Sequence, residues 1–294
     1  MTVTEDALTT DVLRYTAFTD DPAGGNPAGV VLDASGLDDA AMLAVAARLG
    51  YSETAFLTRP AEGGAGRRDF AVRYFSPKAE VSFCGHATVA AAVALAERVG
   101  TGDFVFHTQA GPVPVSVADD GFGAPHATLT SVEPSVEHAD EADVAEALAA
   151  LRWERGDLAA ALPPRVAYAG ARHLVLAAAS RGRLAELDYD FERLAALMRR
   201  LGLTTLQLVW RESASVFHVR DPFPVGGVVE DPATGAAAAA FGAYLRALGA
   251  VGEQARLTLH QGGDLGRPSR LTVELRAGDP RVRVSGAAVP VTAA

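Results

Sequence analysis

The stretch Val72-Arg-Tyr-Phe-Ser-Pro-Lys-Ala-Glu-Val-Ser-Phe-Cys-Gly-His-Ala-Thr-Val-Ala-Ala-Ala-Val-Ala-Leu95 recurs in outline as Val219-Arg-Asp-Pro-Phe-Pro-Val-Gly-Gly-Val-Val-Glu-Asp-Pro-Ala-Thr-Gly-Ala-Ala-Ala-Ala-Ala-Phe241. Arg73 aligns with Arg220, Pro77 with Pro224, Val81 with Val228 and Cys84 with Asp231, each pair 147 residues apart in a chain of 294. Alanine runs align cheaply, so the repeat rests on the Arg…Pro…Val register. Each copy reads as strand, turn and a tight lead into an Ala-rich helix. The repeat predicts two similar domains facing each other across a cleft, each aiming a helix start at it. A helix start presents unpaired N–H groups and a partial positive charge, so it binds carboxylate or phosphate. The reactive candidates at these starts are Cys84 and His86 in one copy, Glu230 and Asp231 in the other.

Composition narrows the partners. A net charge of −10 argues against nucleic acid and against an anionic membrane. It leaves room for a small anionic substrate, because a local helix end overrides the global charge. A single cysteine permits no intramolecular disulfide and fits a cytoplasmic setting. Met1 to Arg14 carries Glu5, Asp6 and Asp11 around no apolar core and does not read as a signal peptide. The longest apolar run, Pro232 to Leu245, stops at Arg246, short of a membrane span.

Along the chain, Val12 to Phe18 alternates like a strand, 20–29 is a turn-rich loop, and Val30 to Leu32 resumes a strand. Leu37 to Leu49 is an amphipathic helix ended by Gly50. Strands are expected at 52–57, 69–75, 104–107 and 113–117, around a first repeat helix at 85–99. The acidic run from Val132 to Glu146 leads into a helix. The second half holds strands at 166–169, 173–178, 206–210 and 215–219, a helix at 191–201, the second repeat helix at 234–248, and closing strands at 256–260, 271–275 and 282–291. Hairpin-length connections favour α+β over a doubly wound parallel sheet. The expected domains are 1–120 and 121–281, with the last strand, near 282–294, returning to the first.

Glu53 stands where a helix has ended and a strand begins, beside Ser52 and the apolar Ala55-Phe-Leu. A half-buried carboxylate there would suit a general base; an exposed turn glutamate is the plainer alternative. His86 falls in the first turn of its helix, where the positive end favours the neutral imidazole, able to pass protons or to serve as a structural histidine. Asp231, followed by Pro232, reads as a helix N-cap. Cys84 is either an inert buried residue or a thiol activated by the helix start. No His-x-His, His-Glu-x-x-His, Cys-x-x-Cys or Gly-x-Ser-x-Gly occurs, which argues against a zinc site and a serine elbow.

Six motifs in order, Gly25-Asn-Pro-Ala-Gly-Val-Val31, Ser52-Glu-Thr-Ala-Phe56, Arg73-Tyr-Phe-Ser-Pro77, Glu80-Val-Ser-Phe-Cys-Gly-His-Ala-Thr88, Glu230-Asp-Pro-Ala-Thr-Gly235 and Gln261-Gly-Gly-Asp-Leu-Gly-Arg-Pro268, together resemble the PhzF family of phenazine-biosynthesis-like isomerases. The resemblance covers nearly the whole chain. It implies the diaminopimelate epimerase-like fold: two pseudo-symmetric α+β domains, each a curved, mostly antiparallel sheet around a central helix. It implies cofactor-independent proton transfer, with Glu53 as acid/base, His86 and Asp231 assisting, and no metal. Substrate binding would fall to Asn26, Cys84, Gly85, Thr234, Gly235 and Ala236, the carboxylate held by backbone amides around Gly235. The family usually has Ser where this chain has Ala236, which removes a hydroxyl from that loop. The resemblance also implies a homodimer. The alternatives are an epimerase using Cys84 and Asp231, or a non-catalytic binding protein of the same fold.

Overall fold

The computed structural model describes residues 11–59, 68–119 and 124–291; Met1 to Thr10 and the expected boundary at Asp120 lie outside them. The chain divides into two units, Met1–Thr130 with Ser285–Ala294, and Ser131–Val284. Among the described residues no helix is long and apolar enough to cross a membrane.

Unit 1 contains β1 (Leu13–Ala17), β2 (Asn26–Val31), α1 (Asp39–Leu49), β3 (Glu53–Thr58), β4 (Asp69–Phe75), β5 (Glu80–Val81), α2 (Gly85–Val99), β6 (Gly102–Thr108), β7 (Gly111–Ala118) and β8 (His126–Thr130). From β1 through β2, β3, β4 and β6 to β7 the pairings run antiparallel, parallel, antiparallel, parallel, antiparallel. Every residue of α2 from His86 to Ala96 is buried. A helix apolar all round must be enclosed, and α2 touches β1, β2, β3, β7 and β8, so the sheet curves about it. Its alanines lose no side-chain entropy on ordering and let strands approach closely. Side chains alternate across a strand, and Tyr74 identifies the inner face of β4: its hydroxyl lies 2.6 Å from Thr88 Oγ1 in α2. The outer face is capped by α1, whose Met42 and Val45 pack with Phe56 and Phe75.

Unit 2 contains β9 (Ser135–His138), α3 (Glu141–Leu151), β10 (Arg165–Tyr168), β11 (Arg172–Ala177), α4 (Arg181–Ala185), α5 (Phe191–Leu201), β12 (Thr205–Arg211), β13 (Val216–Pro222), β14 (Glu230–Asp231), α6 (Gly235–Ala247), β15 (Ala255–Gln261), β16 (Ser269–Arg276) and β17 (Asp279–Pro290). From β10 through β11, β12, β13 and β15 to β16 the same order of pairings returns. Here α6 is the enclosed helix, buried from Ala237 to Leu245 and touching β9, β10, β11, β12 and β16. The outer face is covered by α3 and α5 over Leu174, Leu176, Leu206 and Leu208. After Val284, β17 continues into unit 1, where Tyr15 pairs with Pro290.

Three local expectations are corrected. β2 starts at Asn26, inside the stretch read as loop, because 26–30 bonds along β1. β8 and β9 were not legible. The uniform offset of 147 fails after the strand: Tyr74 pairs with Val81, whereas Asp221 pairs with Asp231. The second turn is three residues longer and holds a 3₁₀ turn, Pro224–Gly226. The counterpart of Glu80 is therefore Glu230, that of Val81 is Asp231, and that of Cys84 is Thr234, the residue before α6.

Candidate active site

In unit 1 the first residue of β3 meets the first turn of α2. Glu53 lies on the same face of β3 as Ala55, the partner of inward-facing Tyr74, so its carboxylate points to the helix start. Glu53 Oε2 lies 3.4 Å from His86 Nε2 and 3.5 Å from Cys84 Sγ. Cys84 Sγ is 3.3 Å from His86 Nδ1, and Ser52 Oγ is 3.2 Å from Nε2. Cys84 and His86 are buried, while the Glu53 side chain keeps 16% of its surface exposed. A carboxylate, a thiol and an imidazole thus meet at one point, and the N–H groups of the first helical turn, which have no acceptor within the helix, end beside them. The same three side chains are the set among the described residues that could hold a metal ion.

Unit 2 builds its helix start differently. Asp231 is not the N-cap of α6. It belongs to β14, bonded across to Asp221, and Thr234 occupies the cap position without a side-chain cap bond. The Asp-Pro pair is a sound local signature of a helix start, but strand pairing with β13 takes the aspartate. Asp231 accepts a 2.5 Å hydrogen bond from the Thr234 hydroxyl. Gln261 ties the turn together: Nε2 donates to Asp221 Oδ2 at 2.9 Å, to the Asp231 carbonyl at 2.9 Å and to Thr234 Oγ1 at 3.1 Å, while Oε1 accepts from the Thr234 amide at 3.0 Å. The turn after Gln261 can close only with glycine. Gly262 has φ +72°, and a Cβ there would sit 2.7 Å from the Pro232 carbonyl.

Asp221 was missed by sequence reasoning and is the most buried acid of this network, at 0% exposure. Burial first, then the charges of Asp231 and Glu230, pushes its carboxyl well above the usual range. The Gln207 amide end lies 2.5 Å from Asp221 Oδ1. Reversing that amide would let nitrogen donate to a carboxylate; with its oxygen there, the contact is a carboxylic O–H donating to the amide. Reversed, the nitrogen also reaches Oδ2 at 3.1 Å, and only that orientation gives both ends of the amide a partner. The signal was available: Phe217, Val219 and Asp221 alternate on β13, and a polar residue ending an inward apolar series marks a buried polar site.

The remaining expected residues fall into place separately. Asn26 is buried at the start of β2, Gly85 and Gly235 open their helices, and Ala236 is half-buried in the first turn of α6. The Thr234 amide is already bonded to Gln261, which leaves Gly235, Ala236 and Ala237 as the turn's N–H groups without a helical acceptor. Glu230 is no reactive group: it accepts from Arg220 at 3.0 and 2.5 Å, with the pair 9% and 1% exposed. A groove of about 600 Å³ lies at the far end of α6, beside Arg246 and Asp279, and carries none of these residues.

Comparison with known proteins agrees with this fold. A family profile described as phenazine biosynthesis-like protein matches residues 15–294. An uncharacterized isomerase of Mesorhizobium japonicum is 35% identical, over 96% of this chain and 97% of its own. The trans-2,3-dihydro-3-hydroxyanthranilate isomerase of Pseudomonas aeruginosa is 29% identical over 90% of each chain. The crystal structure of a PhzF family protein from Bacillus anthracis superposes with a TM-score of 0.84 at 26% identity, over 96% of both chains. A probable proline racemase from Agrobacterium radiobacter shares the fold, at 14% identity and a TM-score of 0.64, over 95% of this chain and 90% of its own. The chain belongs to the PhzF family of phenazine biosynthesis-like proteins, and it is an isomerase.

Proposed function

We propose that this isomerase moves a proton, and with it the double bonds, on a small amino-acid-like or dihydro-aromatic carboxylate, without a cofactor. The observation that carries the reading is the convergence of Glu53 on His86 and Cys84 at the start of α2, within 3.4 and 3.5 Å. Glu53 takes the proton of an activated C–H. The electron pair left behind enters the adjacent π system, and the protonated Glu53 returns the proton at its far end, so atoms and oxidation state balance. A base within hydrogen-bond reach of other proton carriers is what such a transfer needs. His86 supports the carboxylate, and the N–H groups of Gly235 and Ala236 are suited to the substrate carboxylate. Asp231 assists from the turn that Gln261 holds. A relative named for a dihydro-hydroxyanthranilate supports a dihydro-aromatic acid as one substrate class.

The epimerase alternative, with Cys84 and Asp231 as the acid/base pair, draws no support from the repeat, in which the counterpart of Cys84 is Thr234. The experiment uses Glu53→Gln with a panel of dihydro-aromatic and amino-acid-derived dienes in deuterium oxide. Turnover and deuterium uptake should fall by at least about a hundredfold, while calorimetric affinity for the same ligands is retained. Exchange at the wild-type rate would move the base to His86, Cys84 or Asp231.

A further inference from the structure

We propose that Glu53, Cys84 and His86 form a site for a thiophilic divalent cation, zinc foremost. No motif spacing reveals it, because Glu53 comes from β3, 31 residues before Cys84, and Cys84-Gly-His86 alone has no recognised ligand pattern. The tertiary structure supplies the pattern. The ligand atoms Cys84 Sγ, Glu53 Oε2 and His86 Nε2 form a triangle with edges of 3.5, 3.4 and 3.8 Å. Tetrahedral zinc, with bonds of about 2.3 Å to sulfur and about 2.0 Å to nitrogen and oxygen, requires edges of about 3.3 to 3.6 Å. Two edges fit as they stand. The sulfur–nitrogen edge does not: Nδ1 lies 3.3 Å from the same sulfur, so the ring must rotate to turn the Nε2 lone pair toward the cation and carry Nδ1 away from the thiol.

The donor set also matches in kind. Thiolate, imidazole and carboxylate are the three ligand types zinc takes in proteins, and three protein ligands leave a fourth position for water or a substrate oxygen. Cys84 is in no disulfide, being the chain's single cysteine. Binding proceeds by loss of its proton to solvent as the sulfur–zinc bond forms, and thiolate with carboxylate then balances the two positive charges. Affinity should therefore rise with pH and binding should release a proton. A metal held there occupies the lone pairs that Glu53 needs for proton transfer, so it blocks turnover. That consequence, unlike the binding, rests on the isomerase reading.

The test titrates the full, reduced chain with zinc chloride alone, by calorimetry in two buffers of different ionisation heat. One zinc per chain with proton release is expected. Cys84→Ser and His86→Ala should each weaken it by at least about tenfold, the low end even for disturbing a metal's outer shell. Cadmium should give a thiolate charge-transfer band that is absent in Cys84→Ser. Without any variant, zinc should also slow alkylation of Cys84. Undiminished affinity in both variants, or an alkylation rate that zinc does not change, overturns the site. These arms need no substrate, so they decide the proposal whether or not the isomerase reading survives. Zinc-saturated protein that exchanges deuterium at the metal-free rate overturns the blocking.

Discussion

The starts of α2 and α6 share a backbone plan and differ in what the plan is used for. At the start of α2, Cys84, His86 and Glu53 gather with the carboxylate still partly exposed. At the start of α6 the corresponding position is Thr234, and the polar groups around it are tied to one another through Gln261. The register extends the contrast. Glu53 sits beside Ala28 in β2, whereas its counterpart Thr205 sits beside His173 in β11. His173 is fully buried, its Nδ1 2.8 Å from Thr205 Oγ1, and burial pulls its pKa down to about 3. Unit 2 thus holds a neutral pair where unit 1 holds an ionisable acid. One helix start keeps groups that can exchange protons with a ligand; the other uses its polar groups to fix a turn.

The sharpest way to break this contrast is the ion pair common to both copies. Arg220 and Glu230 are sealed, at 9% and 1% exposure, whereas Arg73 and Glu80 are 33% and 22% exposed. Removing one partner of a buried pair strands the other charge and costs about 3–5 kcal/mol. A surface pair contributes about 0–1 kcal/mol, and the half-buried Arg73–Glu80 pair, whose arginine also bonds Asp39, lies between the two. Arg220→Ala should therefore lower the denaturant midpoint far more than Arg73→Ala. Equal losses would mean that the two helix starts are not differently built.

A smaller effect is expected at Gln261. Gln261→Leu removes the acceptor of the Thr234 amide and the bonds that the Gln261 amide donates to Asp221 and to the Asp231 carbonyl. Stranding a buried polar group costs about 1–3 kcal/mol, partly relieved here where water enters. If the first-turn amides of α6 hold the substrate carboxylate, as proposed above, the variant, which disturbs Thr234 just before them, should raise KM more than it lowers kcat. A loss confined to kcat would give Gln261 a direct part in the chemistry.

Much of this was legible. The residues 85–99 bounded one helix and 191–201 another because Gly, charge and apolar spacing agree there. His86, Cys84 and Asp231 were singled out because the two helix starts drew attention to them, and Glu53 because a helix ends and a strand begins there. What stayed hidden depends on contacts distant in sequence. The alanine runs fit an ungapped offset, so the three extra residues of the second turn left no mark. Asp231-Pro232 fits a helix cap, and only the bridge to Asp221 says otherwise. Asp221-Pro222 reads as a turn, yet Pro222 ends a strand and Asp221 faces the core. Gln207 and Gln261 meet Asp221 from two other strands.

Asp221 provides the finest test, because its charge state distinguishes a sealed network from a titrating one. Its carboxyl is held well above 3.8 by burial and by neighbouring acids. The folded protein therefore binds that proton more tightly than the unfolded chain does. The stability this contributes is fully present below the unfolded pKa and is lost as pH rises through the folded one. Asn is the neutral likeness of the protonated acid: its carbonyl can accept from Gln261 and its amide can donate to the Gln207 oxygen. Asp221→Asn should thus match the wild type at low pH, within about 0.5 kcal/mol for a swap that keeps shape and bonding. As pH rises the wild type should fall progressively behind the variant. Denaturant midpoints of both proteins across the pH range give the difference curve, in which the other carboxylates cancel. A flat difference, or one that favours the wild type at high pH, would show Asp221 ionised in the fold.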